Sequence, residues 1–217
     1  MTEASWSDLD VPLVVIDLAS VETYLLVRDL SALAVEAHGA RWCPLISQPA
    51  PLDLDIDAAS ACANRLQLPF VRPERHPAPV RKAMRVATLA AARGQAALFT
   101  VRATRLAWST GADLDRLGEG QEVEGEEDDP AAYLPLMMEE VGIEPGEARR
   151  AATEGSDWDL ELTSIAGGLG RLGIQAAPAL RWRGRLHMGR DAILGVLTDS
   201  KRHEGHAQPP AGSSDQG

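Results

Sequence analysis

The chain has 217 residues, long for one compact domain and short for two full ones. Hydrophobic residues make up 45% of it but aromatic residues only 4%, so its core is built mainly from Leu, Ala, Val and Ile. A formal net charge of −11 argues against nucleic acid and anionic membranes as partners.

Val11 to Leu18 (VPLVVIDL) is a near-continuous apolar run, as expected of a strand buried on both faces. From Ser20 the period changes: Leu26, Leu30, Leu33 and Ala37 mark one face of a helix that Gly39 ends. Arg41 to Ile46 reads as a second strand, which makes a βαβ unit with a right-handed crossover. Pro49 to Asp57 is a loop and Ala58 to Leu66 a short helix. Arg72 to Pro79, with three prolines, is a second loop.

Met84, Ala87 and Ala91 then mark a helix face, and Leu98, Val101 and Trp108 another beyond Gly94. Glu119 to Asp129 holds seven acidic residues and no basic ones, so the acidity of the chain is largely local; residues 119–130 read as a mobile loop. Leu134, Met137, Met138 and Val141 predict a further helix, followed by a short one after Pro145. Trp158, Leu162, Ile165, Leu169 and Leu172 form the strongest amphipathic stripe of the sequence. Two short strands follow, Ala179 to Trp182 and Arg185 to Met188, joined by a tight turn at Arg183-Gly184. Asp191 to Asp199 closes the pattern with a helix.

The order is βαβ, a helical block, then αββα. It predicts an α/β thioredoxin fold spanning residues 11–199, with a helical insertion at about 58–155. Residues 1–10 and 200–217 are expected to be disordered. Cys43 and Cys62 form no C-x-x-C, and no histidine stands at zinc-finger spacing from them. No signal peptide or membrane-spanning stretch is visible, so a cytoplasmic chain with free thiols is expected.

In a thioredoxin-like layout the turn before Ser20 meets the loop at Pro178, which places a lone hydroxyl at a helix N-terminus opposite an X-Pro bond. The thioredoxin-like context predicts that bond to be cis. Five motifs then match a known family in order. Asp17-Leu18-Ala19-Ser20-Val21-Glu22-Thr23-Tyr24-Leu25 resembles D-x-x-S-P-Y-S-Y-L, and Trp42-Cys43-Pro44-Leu45-Ile46 resembles W-R-P-x-L. His76-Pro77 through Ala83-Met84-Arg85 matches H-P-x-N-x-x-x-A-M-R. Ala177-Pro178 falls at the cis-proline, and Met188-Gly189-Arg190-Asp191 at the late W-G-x-D. The chain resembles DsbA-family thioredoxin-fold proteins, in particular 2-hydroxychromene-2-carboxylate isomerases and kappa-class glutathione transferases.

Ser20 and Thr23 occupy the positions of the two cysteines of DsbA-type oxidoreductases. Disulfide exchange needs a thiolate to attack and a second sulfur to resolve, so that activity is excluded. The resemblance implies instead a glutathione-dependent, or other thiol-dependent, isomerase or transferase in which Ser20 stabilises the thiolate. It implies that the backbone of Ala177, beside Pro178, pairs with the cysteinyl part of glutathione, and that Asp191 accepts from its γ-glutamyl ammonium. It further implies a homodimer and an anionic conjugated substrate. The sequence departs from the family at Val21, Glu22, Pro79 and Cys43, and the segment after Ile46 is shorter. These departures keep open a second reading, a non-catalytic relative acting as a binding or scaffold protein.

Each singled-out residue also has a purely structural reading. Ser20 is a preferred N-cap, and Asp191 caps the final helix with Ala192 as its first residue. Glu22 is an exposed first-turn acid favoured by the helix dipole, or else a general base. Arg72, Arg75, Arg81, Lys82 and Arg85 form a solvated basic face, or else attract a carboxylate substrate. His76 is a loop residue, Cys43 and Cys62 are small buried residues, and Trp108 and Trp158 belong to the core.

Overall fold

The computed structural model describes residues 11–26, 29, 40–47, 56–75, 77–115 and 133–204, the side chains of 133–136 and 199–204 excepted. The acidic stretch at 119–130, His76, residues 1–10 and residues 205–217 lie outside them. In chain order the elements are β1 (Leu13–Ile16), α1 (Val21–Leu25), β2 (Arg41–Pro44), α2 (Ile56–Arg65), α3 (Arg81–Ala92) and α4 (Ala96–Thr110). They continue with α5 (Tyr133–Val141), α6 (Pro145–Ala152), α7 (Asp157–Arg171), β3 (Ala179–Trp182), β4 (Arg185–Met188) and α8 (Arg190–Glu204). The final helix thus begins one residue before its expected start and runs five beyond Asp199.

The four strands form one sheet in the order β2-β1-β3-β4. β1 pairs in parallel with β2 and antiparallel with β3, and β3 pairs antiparallel with β4. A parallel pair needs a crossover, and the chain between β1 and β2 supplies it; the β3–β4 pair needs only a hairpin. That hairpin turns through Arg183 and Gly184, both at positive φ (50° and 74°), the conformation that a two-residue primed turn requires.

β1 is central and buried on both faces, as its unbroken apolar run requires. Val14 and Ile16 face the larger core, with Leu180, helix α1 and the helical block. Leu13 and Val15 face a smaller one, closed by Ile165 and Leu169 of α7.

Helix α4 departs from the expected stripe. Leu98 is exposed and Val101 half-buried, whereas Phe99, Thr100, Ala103, Thr104, Ala107 and Trp108 are buried. The two threonines can face inward because their hydroxyls donate to carbonyls one turn back, Thr100 to Ala96 and Thr104 to Thr100, both at 2.7 Å. The alanines leave room for close helix approach.

The basic group also corrects. Arg85 is 4% exposed rather than solvated; its Nε donates to Asp159 Oδ1 at 2.6 Å and its NH1 to the Ala152 carbonyl at 2.9 Å. One buried cation therefore joins α3 to α6 and α7.

Candidate functional site

Ser20 follows the end of β1 through a tight turn in which its N–H donates to the Asp17 carbonyl at 3.1 Å. Its backbone is extended, and its Oγ accepts the N–H of Thr23 at 3.3 Å, so Ser20 is the N-cap of α1. The hydroxyl is half-buried, and accepting from Thr23 leaves its own hydrogen free for donation in another direction. Thr23, at the second cysteine position of the oxidoreductases, is fully buried.

The Ala177–Pro178 bond is cis and lies directly before β3. The Pro178 carbonyl accepts the N–H of Gly189 at 2.9 Å, which draws the start of α8 to the proline loop. Glu22 joins the same cluster. It is half-buried, not an exposed first-turn acid, and its Oε2 accepts the N–H of Arg190, the first residue of α8, at 3.3 Å. Gly189, just before Arg190, sits at φ 76°, the left-handed conformation that favours glycine, and a Cβ there would be in ordinary contact with Glu22 Oε2 at 3.4 Å.

Glu22 therefore occupies the place expected of Asp191 as the acid at the end of the final helix. Arg190 opens α8, so Asp191 lies inside its first turn. The Asp191 side chain is 93% exposed and accepts from Arg190 NH1 at 2.9 Å.

Two residues that sequence reasoning passed over complete the cluster. Asp17 is 4% exposed; its carboxylate accepts the N–H of Ala19 and the N–H of Ser47, each at 2.9 Å. Burial pushes its carboxyl above the usual aspartate range, while these bonds and one to the Ser47 side chain pull the other way. Ser47, three residues past the end of β2, uses its Oγ to accept the N–H of Ala177 at 3.2 Å. A chain of hydrogen bonds thus runs from Asp17 through Ser47 to the proline loop. The signal for it lies in Asp17, an acid ending an otherwise apolar strand, which must find donors once buried.

Ser20, Ala177 and Pro178 thus come to the same end of the sheet, while Asp191 points outward. Pro79 lines a separate cavity of about 570 Å3, together with Glu74, Arg75, Lys82, Asp113 and Asp115. Arg75 pairs there with Asp113, and Asp115 Oδ1 accepts the backbone N–H of Lys82 at 2.8 Å. No group of three or more metal-ligating side chains occurs among the described residues. No helix among them is long and apolar enough to cross a membrane.

A solved structure of a 2-hydroxychromene-2-carboxylate isomerase superposes on this chain with a TM-score of 0.66, covering 89% of this chain and 95% of that one. The fold is the DsbA-type thioredoxin fold. Sequence identity to that structure is 16%, so the likeness is one of architecture. Neither a protein-family model nor a curated protein sequence matches the chain.

The residues present fit a thiol at Ser20 better than they fit the glutathione peptide. The Ser20 hydroxyl retains a hydrogen to donate. The backbone of Ala177 was expected to pair with the cysteinyl part, but its N–H is held by Ser47, and the Asp191 carboxylate is turned to solvent and to Arg190.

Proposed function

We propose that this chain is a small-thiol-dependent isomerase or transferase of the 2-hydroxychromene-2-carboxylate isomerase type. The observation that carries the reading is Ser20, a half-buried hydroxyl that caps α1 as an acceptor and keeps its hydrogen to donate. It stands on the architecture of a solved isomerase, in the same cluster as a cis X-Pro bond. A bound thiolate supplies reversible addition to an activated double bond, which permits rotation about that bond. Ser20 serves by hydrogen-bonding the anionic sulfur, which lowers the thiol pKa and raises the reactive fraction. Hydrogen bonds to charged groups contribute about 1.5–3 kcal/mol, or roughly 10- to 150-fold in affinity.

Calorimetric titration of the native chain and Ser20→Ala with 2-mercaptoethanol and reduced glutathione tests this. Thiol binding that weakens about 10-fold or more in the variant supports it. Equal binding to both proteins, or none at millimolar thiol, removes Ser20 from any thiol chemistry.

A second reading, a binding or scaffold protein without catalysis, draws support from Glu22 and Ser47. Both engage backbone donors of the cluster from within the protein. Absence of thiol binding in the same titration would favour it.

A further inference from the structure

We infer that Glu22 and Ser47 set the selectivity of this cluster toward small thiols that carry no carboxylate and no peptide backbone, cationic aminothiols foremost. The inference rests on the thiol reading of Ser20 and narrows the class of thiol.

A peptide thiol would need free backbone donors beside the proline loop, and the Ala177 and Arg190 N–H groups are both engaged. The N–H of Ala177 points at Ser47 Oγ, 3.2 Å away. An amide has a single hydrogen to give, so a ligand carbonyl reaches it only by displacing that hydroxyl. Ser47 is not a loose group, because its own N–H is fixed to the buried Asp17 carboxylate at 2.9 Å. The N–H of Arg190 is the second donor, and Glu22 Oε2 holds it at 3.3 Å. A helix N-terminus that would otherwise welcome the carboxylate of a ligand already has one.

Charge points the same way. Glu22 is two residues from Ser20 and half-buried, where screening is weaker than in bulk water. Its carboxylate lies against the backbone N–H of Arg190, while the Arg190 guanidinium pairs with the exposed Asp191 at 2.9 Å. Among the described residues of the cluster the acids Glu22, Asp191 and Asp17 outnumber the base Arg190, which leaves it net negative. Glutathione, whose two carboxylates outnumber its one ammonium, is repelled, a neutral thiol is tolerated, and a short thiol with an ammonium alone finds a counter-charge.

The test compares cysteamine, 2-mercaptoethanol and reduced glutathione by calorimetry on the full chain, Glu22→Gln, Ser47→Ala and the double variant. The native chain is expected to bind cysteamine about 10-fold more tightly than glutathione. In Glu22→Gln the preference for cysteamine over 2-mercaptoethanol shrinks. In the double variant glutathione tightens by about 2- to 10-fold, the worth of one hydrogen bond no longer displaced.

Glutathione binding the native chain as tightly as cysteamine would overturn the selectivity and leave the thiol reading standing. Failure of all three thiols on every protein would overturn both. A readout free of ligand comes from amide hydrogen exchange at Ala177. Its N–H should exchange faster in Ser47→Ala, and unchanged protection there would remove Ser47 from the argument.

Discussion

Cys43 and Cys62 carry the same thiol into different surroundings. Cys43 lies on β2 in the smaller core and is fully buried; desolvation pushes its thiol up to about 12, more than the nearby Arg41 can offset. Only thiolate reacts at an appreciable rate, so Cys43 is inert in the folded chain. Cys62 on α2 is half-buried and free. Titration with an aromatic disulfide at pH 8 should therefore modify Cys62 first and Cys43 only after denaturant is added. Equal reaction of both thiols in the native protein would show that β2 opens readily. At this scale Ser20 as a helix cap and Pro178 as a cis bond were legible, because a hydroxyl before a helix and a proline before a strand are local signals. Ser47 was not legible: its bond to Ala177 spans 130 positions, and nothing near Ser47 announces it.

Elements were legible in proportion to how regular their burial is. β3 and β4 have the bounds that alternation and the Arg183-Gly184 turn predict, and α7 buries Leu162, Ile165 and Leu169 of its stripe. Helix α4 was misread because threonines that bond their own helix count as apolar surface, which composition does not reveal. The buried arginine was misread for a similar reason. Arg85 lies among surface-like basic residues, and its partner Asp159 is 74 positions away.

That pair has a pH signature. The Arg85 guanidinium holds the Asp159 carboxyl below the usual aspartate range, so the folded chain binds this proton more weakly than the unfolded chain does. The stabilisation is full above the ordinary aspartate value of about 4 and is lost as pH falls through the lower folded value. Asp17 acts with the opposite sign, since its raised carboxyl favours the folded state in acid and loses that advantage as pH rises. Thermal melts between pH 3 and 7 should show Asp159→Asn less stable than the native chain at pH 7, with the gap narrowing toward pH 3. A gap independent of pH would mean that the carboxylate charge contributes nothing.

Across the whole molecule, the helical insertion supports the half of the sheet that presents Ser20. Trp108 of α4 is fully buried; its ring stacks on Phe70 with centroids 5.9 Å apart, and its Nε1–H donates to the Leu18 carbonyl at 3.3 Å. Leu18 lies two residues before Ser20, in the turn that aims the hydroxyl. Tyr24 adds a second tie, its hydroxyl donating to the Pro69 carbonyl. The split thioredoxin plan could be read from the order of strand and helix signals, but these ties could not, since they join segments as much as 90 positions apart.

They give the insertion a role in the site that can be separated from its role in the core. Trp108→Ala removes ring and hydrogen bond together and should cost about 3–5 kcal/mol in urea unfolding. Trp108→Phe keeps most of the packing and removes only the donor to Leu18, at a cost of about 1–3 kcal/mol for the carbonyl left unpaired. If that bond aims the Ser20 turn, Trp108→Phe also weakens thiol binding, though residue 108 is not among the cluster residues. A Phe variant with native affinity would confine Trp108 to the core. Weakened binding under conditions where the variant remains fully folded would show that the insertion positions the hydroxyl.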